Sequence, residues 1–180
     1  MIDRRVFAPA GRDDEEHWRI WREGITMVLY LSIVLLVTLA AIPAAHDDVD
    51  GWIRGLSSRG LTEILWGTTI GLALAHWFAF GVATHGIGGG HLKGQDLHEA
   101  MAQLAGAAFV AATVTVPILL FSERVEQLLL PFVLALIIGC ADYLVERVNG
   151  RSRSRSTVFG AITLLVALTV ATVKFLLTPH

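Results

Sequence analysis

From residue 24 to residue 45 the chain carries no acidic or basic side chain, and most of the run is apolar. As a helix, about 20 such residues reach across the roughly 30 Å hydrocarbon core of a bilayer. No soluble fold easily hides a helix that is apolar all round, so this run constrains the chain more than any motif in it. Four further runs repeat the pattern at 64–84, 100–122, 127–145 and 156–177. The second is interrupted only by His76, and the third holds Pro117 near its end. The fourth is charge-free to Ala141 and needs 142–145 for full length, and the fifth runs apolar to Val173 and then meets Lys174. The expected fold is an all-α, polytopic membrane helical bundle of five transmembrane helices in one integral membrane domain, with the lipid bilayer as its first partner.

Composition agrees where it bears on class. Charged residues make up 17% of the chain, against about a quarter in soluble domains. The net charge of −2 leaves no basic surface for nucleic acid. Arg outnumbers Lys twelve to two, the bias of a GC-rich bacterial genome. Cys140, the one cysteine, cannot form an intrachain disulfide and is expected as a small buried apolar filler. The first run exceeds the roughly 7–15 residues of a signal-peptide core, and no good cleavage site follows it, so an uncleaved first span is expected.

Charges in the connecting segments orient the bundle. The segment 1–23, the loop after span two and the loop after span four hold ten of the fourteen Lys and Arg, including Arg147, Arg151, Arg153 and Arg155. Cytoplasmic segments are enriched in these residues. The expected topology is therefore N-in/C-out in the inner (cytoplasmic) membrane, with 1–23 as a cytoplasmic tail. Trp18 and Trp21 before span one, and Trp52 beside Ile53 and Leu56 after it, fit the headgroup region.

Span two carries a small residue at every fourth position: Gly67, Gly71, Ala75, Ala79 and Ala83. These form one stripe on a helix, and small stripes let backbones approach closely in lipid. Spans two and three, the latter rich in alanine, are expected to form the tightly packed centre. A homo-oligomer or a membrane protein partner docked along the stripe is the alternative use of it.

His76 is the deepest titratable group, about 18 Å from one boundary of its span and about 12 Å from the other at 1.5 Å per residue. Intramembrane ionisable groups face protein and mark function by default, although a neutral histidine bonded across helices would also satisfy the position. Asp142 lies about 8 Å from the inner boundary of span four, and Gln103, Thr163, Tyr30 and Ser32 fall about 9–12 Å from theirs. Every span thus offers a polar group at one level. The expectation is a polar layer in the inner half, with His76 and Asp142 close enough to pair.

The glycine-rich stretch 86–94 matches neither phosphate-binding pattern and reads as a connector. Asp96 and Glu99 have the spacing of a capping box at the start of span three. His85, His91 and His98 gather near the same face, and imidazole suits Zn, Ni or Fe, yet their spacing matches no standard metal motif. No cofactor is expected, with a metal on these histidines as the exception. The acidic stretch 46–51 lacks the ligand pattern of a calcium loop, and no G-x-S-x-G nucleophile is present. Three functions follow in order of preference: transport or conduction of protons or a small ion through the polar layer, a non-catalytic membrane subunit or assembly factor, and a membrane enzyme with a cytoplasmic metal.

Overall fold

The computed structural model describes residues 12–41, 58–87 and 94–177. They form α1 (Arg12–Ala41), α2 (Ser58–Ile87), α3 (Gly94–Leu120), α4 (Glu123–Val148) and α5 (Arg153–Leu177). Each contains a segment long and apolar enough to cross a bilayer: His17–Ala41, Arg59–Val82, Leu97–Leu120, Leu129–Val148 and Arg153–Val173. The chain is therefore all-α, with five candidate membrane-crossing helices. The segment holding Trp52, Ile53, Leu56 and the acidic stretch 46–51 lies outside the described residues, as does the connector core at 88–93.

Two of the links between helices are short. Near the end of α3 the Phe121 N–H still closes on the Pro117 carbonyl at 3.0 Å, and the chain then reverses through Phe121 and Ser122 alone. At the other end of the bundle α4 passes to α5 through 149–152, with Gly150 at φ 74°, a left-handed conformation that glycine adopts without a Cβ penalty. Because α3 starts at Gly94, Asp96 sits inside its first turn and not ahead of it as a cap.

Packing centres on α1, which lies against α3 and α4, while α4 and α5 form the second tight pair. Both tight pairs are made by glycine. A Cβ on Gly106 of α3 would stand 2.6 Å from the carbonyl oxygen of Gly24 on α1. A Cβ on Gly160 of α5 would stand 2.9 Å from both the Gly139 carbonyl oxygen and the Tyr143 Cβ on α4. Only a missing side chain permits such approaches, and dispersion between close backbones is what holds helices together in lipid.

The expected centre of spans two and three is corrected by these contacts. α2 lies at the edge: 11% of its crossing window is buried, against 44% for those of α3 and α4. Its buried row is Leu61, Leu65, Thr69 and Ala73. The small-residue stripe is displaced from that row by two residues, about 200° round the helix. Gly67, Gly71, Ala75 and Ala79 are accordingly exposed, and a Cβ on Gly67 or Gly71 would meet nothing within 4 Å. The side chain of Ala83 lies outside the described residues.

The buried core occupies the half of the bundle remote from the α4–α5 turn. Leu31 and Leu35 of α1, Leu65 of α2, Val110 and Val114 of α3, and Leu130 and Leu134 of α4 are fully buried there. Past Ala73, α2 leaves this core, and residues 74–79 are all exposed. The divergence opens a space between α1, α2 and α3 in the half nearer the turn.

Candidate functional site

That space is a cavity of about 190 Å³ lined by Glu23, Thr26, Met27 and Tyr30 of α1, His76 of α2 and Gln103 of α3. The α1 contributions follow from helical spacing, since residues 23, 26, 27 and 30 lie along one face. The Gln103 side-chain amide donates to Glu23 Oε2 at 3.0 Å across the α1–α3 contact. Gln103 is buried, Glu23 is partly buried, and Tyr30 and His76 are exposed along the opening that α2 leaves. Thr26 donates back to the Arg22 carbonyl at 2.8 Å, and the Arg22 guanidinium lies 3.8 Å from Glu23 Oε1. Among the described residues His76 has no hydrogen-bonded partner, so its imidazole is free to bind water or a ligand. Glu23, His76 and Gln103 each stand six residues from the end of their crossing segments, about 9 Å in from that end at 1.5 Å per residue.

The single layer expected from the sequence divides into three. His76, Gln103 and Tyr30 share the cavity. Asp142 and Thr163 are elsewhere: Thr163 on α5 donates to Asp142 Oδ2 at 2.7 Å, next to the glycine crossing of α4 and α5. His76 therefore faces the α1–α3 side with Glu23 as the carboxylate in its cavity, and Asp142 faces α5. Ser32 is fully buried among the leucines of the core, its hydroxyl without a hydrogen-bond partner among the described residues.

Glu23 is the residue that sequence reasoning missed. A window chosen for lack of charge begins at Gly24 and assigns Glu23 to the tail. The available signal was periodicity, because Glu23 continues the Thr26–Tyr30 face inward by one turn. The opposite face of α1 borders a different space, an apolar groove of about 590 Å³ touching Trp21, Val28, Phe109, Leu136, Cys140 and Leu144. Cys140 is exposed and is not the buried filler expected, because it lines this groove bordered by α1, α3 and α4.

Of the three histidines offered for a metal, His98 is exposed at the start of α3, and no group of three potential ligands forms among the described residues. The His85 side chain and the whole of His91 lie outside what the structure describes. Glu99 faces Arg19 at 3.8 Å.

The helices and their hydropathy define a multi-pass α-helical membrane protein. No protein-family model, curated protein or solved structure matches the chain.

Proposed function

We propose that this protein moves protons, or failing that a small cation, across the inner membrane of a bacterium through the α1–α2–α3 cavity. The observation that carries the reading is a carboxylate, Glu23, held by Gln103 inside a crossing segment, in a cavity that an unpaired imidazole also lines. An ionisable group at membrane depth is costly, and bundles keep such groups where they serve a path. The donor set favours the proton. Histidine, glutamate and tyrosine can each accept and release one, whereas a hard cation calls for a shell of about six or more oxygens. The volume accommodates several waters at about 30 Å³ each, enough for a short proton-carrying file.

With the arginine-rich segments inside, the cavity belongs to the cytoplasmic half and the leucine core closes the external half. Passage then requires a second state, and α2, the helix with least of its surface buried, is the element to supply it. Purified protein in liposomes under a proton gradient tests the reading. Wild-type vesicles are expected to dissipate the gradient at least about tenfold faster than His76→Ala vesicles, and equal rates for wild-type and empty vesicles would refute it. A tenfold change is about 1.4 kcal/mol in barrier height, well within what loss of a relay group removes.

The outward small-residue face of α2 favours a second reading, that of a non-catalytic subunit docking a membrane partner or a second copy. Under it, vesicles show no flux, and a co-purifying chain is lost in Gly71→Leu.

A further inference from the structure

The turn between α4 and α5 carries more positive charge than the described residues offset. Residues 146–155 hold four arginines and one glutamate, a formal charge of +3. Glu146 lies 2.8 Å from the Arg151 Nε, an ion pair without hydrogen-bond alignment. Arg147 turns inward and donates to the Arg151 carbonyl at 2.8 Å. Arg153 and Arg155 are exposed and have no carboxylate partner among the described residues.

Their placement adds to the imbalance. Both lie in the first turn of α5, which contains no acidic residue. The positive end of the helix dipole is there, so cations are disfavoured at this position and an anion is favoured. The guanidinium groups are also arranged. Arg151 and Arg155 lie over the Phe159 ring with their central carbons 5.3 Å and 5.7 Å from its centroid. Arg151 is engaged by Glu146, whereas stacking holds the Arg155 guanidinium with no carboxylate against it among the described residues, so its N–H groups can donate to an anion.

Depth says which anion. The crossing segments of α4 and α5 end at Val148 and begin at Arg153, so the turn lies where hydrocarbon gives way to headgroups. One, two and three turns further along α5 from Arg155, Val158, Ile162 and Val166 are exposed and apolar.

We infer that the α4–α5 turn is a binding site for one anionic phospholipid, its phosphate held by the stacked Arg155 with the Arg153 charge added from the other side of the helix end, and an acyl chain lying along the exposed face of α5 that continues from Arg155. Charge complementarity and the continuous apolar track both favour a lipid over a free phosphate. The site is independent of any proton path.

The test uses the full chain in an uncharged detergent, with phosphatidylglycerol or phosphatidylcholine of identical acyl chains added. Phosphatidylglycerol is expected to raise the unfolding midpoint and to remain bound when the intact complex is weighed, whereas phosphatidylcholine does neither. Arg153→Gln combined with Arg155→Gln is expected to weaken phosphatidylglycerol binding about tenfold, and both side chains are exposed, so the fold survives the change. Phe159→Leu keeps every charge but unstacks the guanidinium groups, and is expected to weaken binding severalfold. Equal retention of both lipids, or undiminished binding in the double variant, would overturn the proposal. So would inorganic phosphate that reproduces the shift at millimolar concentration, since the ligand would then be the free ion.

Discussion

The two flanks of α1 solve the same problem in opposite ways. On the α4–α5 flank, glycines at 139 and 160 bring two backbones together, and the carboxylate beside them, Asp142, is satisfied by Thr163 at 2.7 Å. On the α2 flank, a Cβ on Gly67 or Gly71 would meet nothing within 4 Å, the helix departs after Ala73, and the carboxylate Glu23 shares a cavity with a histidine that has no partner among the described residues. Close packing and polar satisfaction go together on one side, and loose packing and polar exposure on the other. Glycine spacing on a transmembrane helix therefore does not mark the packed side. What marks it is whether the facing helix carries a small residue at the matching level, as Gly24 does for Gly106 and Gly139 does for Gly160.

Filling the glycines at the two tight crossings is expected to cost most. Gly106→Leu and Gly160→Leu must push backbones apart and are each expected to cost about 3 kcal/mol or more. Gly71→Leu, with open space at its Cβ, is expected to leave the unfolding midpoint of the detergent-solubilised chain nearly unchanged. A thermal scan of the three variants decides it, and comparable losses in all three would mean that α2 is as tightly held as the rest.

A smaller effect sharpens the polar side of the comparison. Thr163→Val keeps the shape of the side chain and removes the hydrogen bond to Asp142. Interhelical hydrogen bonds in membranes average about 0.6 kcal/mol and reach about 1.7 kcal/mol. Asp142 is partly buried and loses its described partner, so a loss near the upper figure is expected in the same scan. No change in proton flux should accompany it.

The fold was legible because membrane crossing depends on length and the absence of charge, both of which are local. Five apolar runs could be counted directly, and five helices of sufficient length are present. A residue count gives each polar group an expected depth and no more; only the fold itself was legible in this way. Which groups meet was not, because that depends on the azimuth of each helix. Two residues of offset on α2 turned the stripe at Gly67 and Gly71 away from the bundle, and similar rotations directed Asp142 to α5 and His76 to α1 and α3. Glu23 escaped notice because its charge was taken as the end of a span, although helical periodicity places it on the face of Tyr30.

On the proposed reading Glu23, and not Asp142, is the carboxylate that works with His76. Proton flux measured in liposomes made from Glu23→Gln and from Asp142→Asn compares them under one gradient. Glu23→Gln is expected to lower the rate at least about tenfold, like His76→Ala, while Asp142→Asn stays close to wild type, each tenfold step being about 1.4 kcal/mol in barrier height. Loss of flux in Asp142→Asn with retention in Glu23→Gln would contradict it.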